Sequence, residues 1–142
     1  MAVRYQGRSI FPGKVAGEAL VTSQAISFFG GVDPETGIVV ENGHALEGQC
    51  ISGKVLVFPT GKGSTVGSYT LYRLKHNHRA PLAILNADCE TIIAVGCIIA
   101  EIPCVDQLPI QEIHTGSLVE ISSGQVDVEL PNNTQKMEDK HE

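Results

Sequence analysis

Three short apolar runs in the middle of the chain constrain its fold more than any other feature. "VLVF" (55–58), "APLAIL" (80–85) and "PCVDQL" (103–108) each have the composition and length of a buried strand. Segments with helical character separate them, at 65–77 and 90–101. A strand–helix–strand–helix–strand order normally places the strands in parallel, with right-handed helical crossovers. We therefore expect a partly parallel central sheet.

The two helices are predicted from different signals. From Thr65 to about Asn77, apolar residues recur at helical separations. The segment "IIAVGCII" is β-branched and is compatible with a strand by composition alone. Asp88 as a cap, Glu90 in the first turn and Pro103 as a stop favour a helix from about Glu90 to Glu101.

The segments on either side of this unit are rich in strand signals. Strand-like stretches fill residues 4–24, a further strand is predicted after Gly37, and "GSLVEISSGQVDVEL" alternates like a hairpin around 123–124. Together these elements predict an α/β domain with β/β/α layers over residues 1–130. Residues 131–142 have almost no apolar content and are predicted to be a disordered tail.

Charge and hydropathy exclude several classes of partner. The net charge of −6, without a basic stripe, argues against nucleic-acid binding. The longest apolar run, Ile92–Ala100, is too short to span a bilayer, so we expect no membrane association. The N-terminus lacks a segment suited to a secretion signal, which makes a cytoplasmic location the expectation.

The four cysteines are therefore expected to be reduced thiols. They form no C-x-x-C pair, and Cys97 lies inside an apolar run like a small buried hydrophobe. An iron–sulfur cluster held by three of them, with Cys104 as one ligand, is a minor alternative. We expect no metal ligand in this chain.

The stretch "FPTGKGSTVGSYTLYRL" (58–74) places Ser64 and Thr65 among glycines at the start of the first predicted helix. It is not a P-loop, because the spacing G-x-x-x-x-G-K-[ST] is absent. One interpretation is that Ser64 is an ordinary N-cap. Another is that it acts as a base or binds an anion, since free N–H groups at a helix start favour negative charge.

The energy needed to activate a serine limits the catalytic interpretation. Lowering a hydroxyl pKa from about 13 to about 7 requires ~8 kcal/mol, at about 1.36 kcal/mol per unit. A helix terminus supplies at best ~2 kcal/mol. Lys62 is the nearest candidate for a second stabilising charge, and neither His44 nor His76 completes a Ser–His–acid order. The chain therefore reads as one half of an active site that a second polypeptide completes.

Three segments, in order, make the chain similar to a known family. "SFFGGVDPETGIV", "GHALEGQCISGKVLVFPTGKGSTVGSY" and "APLAILNADCETIIAVGCIIAEIPCVD" together resemble the swivel domain of the aconitase X family, from about residue 5 to 130. The resemblance implies an α/β fold of the swivelling β/β/α type. It also implies a hydro-lyase in which a large partner subunit holds an iron–sulfur cluster, of the 4Fe–4S type, and this chain binds none alone.

The resemblance also implies roles for individual residues. Ser64 aligns with the serine that accepts the proton α to the substrate carboxylate. The substrate-binding candidates share glycine-rich loops: they are Gly63 and Thr65 through backbone N–H groups, Lys62 through its charge, and Gly30 and Gly31 in "SFFGGVD".

The substrate is less constrained than the reaction type. A free-standing chain of this size resembles archaeal members, which convert (R)-5-phosphomevalonate to trans-anhydromevalonate 5-phosphate and water in the modified mevalonate route to isoprenoids. Fused relatives include hydroxyproline dehydratases, so another hydroxy acid is an alternative. A non-catalytic binding or carrier module of the same fold is a second one, which phosphotransfer to His44 or His76 would support.

Overall fold

The computed structural model describes residues 2–129, which form a strongly curved sheet covered on one side by two helices. The elements follow in chain order: β1 (Ala2–Gln6), β2 (Arg8–Phe11), β3 (Lys14–Val21), β4 (Val55–Phe58), α1 (Gly67–His76), β5 (Ala83–Asn86), α2 (Thr91–Ala100), β6 (Cys104–Asp106), β7 (Leu118–Ser122) and β8 (Gln125–Glu129). A single 3-10 turn, Ile110–Glu112, connects β6 to β7.

The sheet has the order β1-β8-β7-β3-β4-β5-β6-β2. Strands β3 to β6 are parallel neighbours, which confirms the predicted central unit. The long strand β3 joins this unit to an antiparallel meander, because its first half pairs with β7. Strands β1 and β2 are consecutive in the chain yet lie at opposite ends of the order, so the sheet nearly closes into a barrel. Gly7, between them, donates its N–H to the carbonyl of Gly124 at 2.8 Å.

Strand β4 separates two hydrophobic cores. All four of its side chains are buried. Val55 and Val57 point into the barrel interior, whereas Leu56 and Phe58 pack against the helical layer. Because successive side chains of a strand point to opposite faces, a continuous apolar run is what a strand covered on both sides requires.

The two helices pack closely because one of them carries a glycine at the contact. A Cβ added at Gly96 would lie 2.5 Å from Leu71 Cδ1 and 3.1 Å from the Cα of Ser68. Leu71 and Leu74 of α1 are fully buried beneath this contact. The glycine therefore determines how close α1 and α2 lie.

Several predicted boundaries are corrected. α1 begins at Gly67 rather than Thr65. Glu90 is the N-cap of α2 and accepts a hydrogen bond from the N–H of Ile93 at 3.0 Å, so the prediction that Asp88 caps this helix is wrong. The strand predicted after Gly37 is reduced to isolated bridges, because residues 32–50 form successive turns.

The predicted C-terminal hairpin is confirmed: β7 and β8 pair in antiparallel register around Ser123, which has a φ of +52°. The tail predicted for 131–142 lies outside the described residues. Within 2–129, neither helix has the length and hydropathy needed to cross a bilayer.

We predict that Gly96→Ala destabilises the chain by about 1–2 kcal/mol, although alanine favours helices by about 1 kcal/mol over glycine. The added methyl group must push Leu71 and the backbone at Ser68 apart, and overpacking of this kind costs about 1–3 kcal/mol. Urea unfolding of the isolated chain measures the change. Val95→Ala, on the exposed face of the same helix, is the control; equal stability of the glycine variant and wild type would contradict the close-packing interpretation.

Candidate functional site

The glycine-rich loop lies at the edge of the sheet where the parallel strands end. β4 ends at Phe58, β5 at Asn86 and β6 at Asp106, so the loops that follow all start from this edge. In open α/β sheets, ligands bind at the carboxyl ends of parallel strands, beside the starts of the following helices. The fold therefore presents Ser64 where a ligand site is expected.

A second glycine-containing segment lies alongside the loop. Gly61 forms a parallel bridge with Ile26, and the N–H of Lys62 donates to the carbonyl of Ile26 at 3.0 Å. This pairing carries the "SFFGG" turn to the loop. Gly63, at a φ of +101°, lies so close to Ser27 that a Cβ would be 2.5 Å from the serine Oγ. Both its conformation and its neighbour require glycine.

Ser64 is exposed and takes part in a turn just ahead of α1. Its Oγ accepts a hydrogen bond from the N–H of Val66 at 3.1 Å. The N-cap of α1 is Val66, which makes no side-chain capping bond. The interpretation of Ser64 as the helix N-cap is therefore wrong by two positions. The hydrogen bond from Val66 occupies one lone pair of the Ser64 hydroxyl.

Three successive backbone donors surround the serine. Within residues 2–129, no acceptor lies in hydrogen-bond range of the N–H groups of Gly63, Ser64 or Thr65. The next two N–H groups in helical geometry, those of Gly67 and Ser68, already donate to the carbonyls of Ser64 and Thr65. The free N–H groups therefore belong to the turn that precedes α1, and successive unbonded backbone N–H groups are suited to an anion such as a carboxylate.

Most of the predicted binding residues share one cleft. Gly30, Gly31, Lys62 and Gly63 line an open cleft of about 350 Å³. Ser64 and Thr65 follow directly in the chain but do not line it. Gly31 has no room for a side chain, because a Cβ would collide with the carbonyl of Ser27. The structure therefore brings four of the five predicted substrate-binding residues together, and their role in binding stays a prediction.

Lys62 is not a solvated charge. Its Nζ lies 3.1 Å from Glu41 Oε2, and both side chains remain partly exposed. An exposed pair of this kind contributes roughly 0–1 kcal/mol, so an anionic ligand can displace the carboxylate at low cost. Glu41 also lines the cleft, as does Ser27. Sequence reasoning missed both; only the position of Ser27 immediately before "FFGG" offered a signal.

A buried ion pair supports the same sheet edge. Asp106 is fully buried and accepts two hydrogen bonds from Arg8, at 2.9 and 2.7 Å, and one from the N–H of Cys89 at 2.9 Å. Burial by itself raises the pKa of Asp106, but the bonds from Arg8 and Cys89 outweigh it and hold the pKa below its ordinary value. The pair joins β2 and β6 to the loop that precedes α2.

Asn86 and Asp106 are polar residues at the ends of buried strands. This pattern is visible in the sequence, but neither residue was predicted to belong to the site. Asn86 Nδ2 donates to the carbonyl of Phe58 at 2.9 Å, which ties the ends of β4 and β5 together. Its Oδ1 is buried and has no partner among the described residues. Both side chains hold the edge from which the Ser64 loop leaves.

His44 has a structural role. It is buried, its Nδ1 accepts the N–H of Leu46 at 3.0 Å, and its Nε2 lies 3.1 Å from the carbonyl of Ala25. This arrangement requires a neutral ring with the proton on Nε2. His76 stacks on Tyr72 at the far end of α1, away from the cleft. Neither ring adjoins Ser64.

The cysteines do not fit an iron–sulfur cluster. Cys89 and Cys104 lie 3.8 Å apart through their sulfur atoms, whereas Cys50 is exposed elsewhere, against the carbonyl of Thr36. The hydrogen bond with Cys104, followed by burial, raises the pKa of Cys89 far above its ordinary value. Across the described part of the chain, no three His, Cys, Asp or Glu side chains converge on a position for a metal ion.

A family model for the aconitase X swivel domain matches residues 4–130. The chain belongs to this family. The match covers the curved sheet except for the first two residues of β1, both helices and the Ser64 loop, and it confirms the swivel-type α/β fold expected from the resemblance.

Named relatives within the aconitase X family are similar over nearly their full length. The phosphomevalonate dehydratase small subunit of Methanosarcina acetivorans is 51% identical over 131 residues, which cover 90% of this chain and 91% of the relative. That of Thermococcus kodakarensis is 48% identical over 128 residues, with 90% and 96% covered. A chain from the crystal structure of Thermococcus kodakaraensis aconitase X, in its holo-form, superposes with a TM-score of 0.88 at 48% identity, covering 90% of this chain and 99% of that one.

We predict that Asp106→Asn lowers the free energy of unfolding at pH 7 by about 2 kcal/mol. Removing one partner of a fully buried ion pair costs ~3–5 kcal/mol, and the loss here is smaller because Arg8 remains partly solvated. A folded-state pKa below the unfolded value of about 3.9 stabilises the protein above that pH, and the contribution is lost as the pH falls through the folded pKa. The wild-type advantage should therefore shrink below about pH 4. Urea unfolding from pH 7 to pH 3 measures it, with exposed Glu120→Gln as control; a difference independent of pH would contradict the ion-pair account.

We predict that Gly63→Ala destabilises the isolated chain more than Gly53→Ala does. Both positions have positive φ, but a Cβ at Gly53 meets nothing within 4 Å, whereas one at Gly63 meets Ser27. The backbone strain common to both variants costs of order 1 kcal/mol, and the contact adds to it only at Gly63. Thermal unfolding of the two variants side by side measures the difference. Equal losses would mean that Ser27 moves aside freely.

Proposed function

We propose that this chain is the small subunit of a heteromeric phosphomevalonate dehydratase, a hydro-lyase acting on (R)-5-phosphomevalonate. The observation that carries the proposal is the identity of about half of all aligned residues with small subunits of that name, over nearly their whole length. The exposed Ser64 hydroxyl, set among free N–H donors, supports it. In this proposal residues 1–130 form one swivel domain that works in the cytoplasm.

In the proposed reaction, Ser64 Oγ accepts the proton α to the substrate carboxylate. The electron pair of that C–H bond becomes the new C=C bond while the bond to the leaving hydroxyl breaks. The hydroxyl leaves and takes up a proton from solvent to become water, and trans-anhydromevalonate 5-phosphate remains. Ser64 then releases the proton that it accepted to solvent, which balances the reaction. The acceptor must lie within hydrogen-bond reach of the substrate, which the exposed turn before α1 allows. It must also have lost its own proton, so Ser64 acts as the alkoxide.

The free backbone donors suit the negative charge of the substrate. The N–H groups of Gly63 and Thr65 are positioned beside Ser64 and would bind the carboxylate. Gly30 leaves the cleft wall open to close approach, because nothing lies within 4 Å of where its Cβ would be, whereas Gly31 lines the cleft while packed against the carbonyl of Ser27. Lys62 would turn from Glu41 to the phosphate or carboxylate, since its present ion pair is weak.

This chain alone does not supply enough stabilisation for a serine base. A single donor, the N–H of Val66, contacts the hydroxyl, and the helix start contributes at best ~2 kcal/mol of the ~8 kcal/mol required. The proposal therefore assigns the remainder to the large subunit. Because the cysteines of this chain do not fit a cluster, the Lewis-acid chemistry that a 4Fe–4S cluster offers to a leaving hydroxyl also belongs to that subunit.

We predict that Ser64→Ala lowers kcat of the reconstituted two-subunit enzyme by about 10²–10⁴-fold, because it removes the proton acceptor. The substitution deletes one exposed hydroxyl and should leave unfolding and affinity for the large subunit unchanged. Steady-state dehydration of 5-phosphomevalonate by the anaerobically assembled complex measures the loss. Ser122→Ala, an exposed serine on β7, is the control.

Two results would count against the proposal. Full turnover by a well-folded Ser64→Ala complex would show that the base lies elsewhere. Equal kcat/KM for a non-phosphorylated hydroxy acid would favour the alternative substrate class while leaving the role of Ser64 intact.

A further inference from the structure

The outward face of α2 is apolar, and α1 carries two exposed tyrosines beside the exposed Arg73 and Lys75. Ile98 and Ile99 of α2 are 50% and 54% exposed, and Tyr69 of α1 is 62% exposed. We use the name α1–α2 face for the exposed apolar side chains Tyr69, Tyr72, Val95, Ile98 and Ile99. Helix α2 contains no charged residue at all, "TIIAVGCIIA". A helix that faces water normally carries polar and charged side chains on that side.

This face differs from the other exposed apolar residues of the chain. Val3 and Leu118 are exposed on separate strands of the meander, and scattered residues of this kind are ordinary. The two helices instead pack against each other, and each carries a group of exposed apolar side chains. Tyr69 stacks on Tyr72 at 6.1 Å on α1, and Val95, Ile98 and Ile99 lie close together in the sequence of α2. Apolar surface grouped in this way marks a site of protein association.

The sequence that follows β8 has few apolar side chains that could pack on this face. Residues 130–142 contain two large apolar side chains, Leu130 and Met137, among mostly polar ones. They also follow β8, which pairs with β1 at the barrel end of the sheet rather than beside the helices. The partner of the face is therefore sought in another polypeptide.

The position of the face indicates which polypeptide that is. Gly67 packs beside Ile92 at the start of both helices, while Lys75 Nζ donates to the carbonyl of Glu101 at 3.0 Å where both end. The helices thus run side by side in the same direction, and both begin at the edge that carries Ser64. A subunit that completes the surroundings of Ser64 must contact this edge, and the α1–α2 face continues from it.

We propose that the α1–α2 face is the docking surface for the large subunit, an inference that rests on the proposed function. The large subunit would present a complementary apolar surface to α2. Tyr69 and Tyr72 would act as aromatic anchors nearest the Ser64 loop, as aromatic residues often do in interfaces. The contact would hold the large subunit against the catalytic loop.

The test is the double variant Ile98→Lys, Ile99→Lys. Lysine is a good helix former and is favourable in the last turn of a helix, so the variant should fold normally. Titration calorimetry with the purified large subunit should show at least a 30-fold weaker Kd. At saturating large subunit, kcat should remain within about 2-fold of wild type. Val3→Lys, at a residue 48% exposed on β1, should change neither value.

Two outcomes would overturn the inference. One is unchanged affinity of the double variant for the large subunit. The other is a wild-type homodimer, seen by analytical ultracentrifugation, that the double variant disperses while large-subunit binding persists; the face would then join two copies of this chain. In both outcomes the wild-type complex would still dehydrate the substrate and the Ser64→Ala complex would not. A wild-type complex that forms but has no dehydratase activity would instead refute the proposed function.

Discussion

Burial of the short parallel strands on both faces is the constraint on which the rest of the structure depends. In β4, Val55 and Val57 fill the barrel while Leu56 and Phe58 contact the helical layer, so the strand cannot shift by one residue without exchanging the two sets. This fixed register determines where the chain leaves the sheet. The glycine-rich loop begins there, at the edge that Asn86 and Asp106 reinforce through hydrogen bonds to Phe58 and Cys89.

Close approach between two loops then builds the site. The bridge between Ile26 and Gly61 places "SFFGG" against the loop, and the missing Cβ of Gly63 lets the loop approach Ser27. The missing Cβ of Gly31 allows the tight turn within "SFFGG" itself. The same loop leaves three N–H groups unbonded among the described residues and exposes Ser64. These groups favour an anion but are too weak to activate a serine alone. The proposed contact with a large subunit would explain both the incomplete electrostatic site and the apolar helix face.

Much of the architecture was accessible from local pattern. The apolar runs, the helical segments and the Ser-Gly hairpin predicted strands β4 to β8 and both helices, because burial, crossover connections and turn chemistry act over short stretches of sequence. The wrong predictions concern local details of helix capping and turn formation, which the sequence pattern does not resolve. Glu90 rather than Asp88 caps α2, and the stretch after Gly37 forms turns that yield only isolated bridges. The interpretation of Ser64 as the N-cap of α1 was wrong by two positions, because Val66 is the N-cap.

What the sequence by itself determined was the central α/β order, the family and the loop that carries the candidate serine, since each rests on contiguous residues. Only the tertiary structure decided that Lys62 pairs with Glu41, that His44 is held at both nitrogens, and that Asp106 is buried against Arg8. Apart from the local bond between His44 and Leu46, those contacts join residues from about 20 to nearly 100 positions apart. Their geometry depends on how the sheet curls, a property of all its strands together that no single stretch encodes.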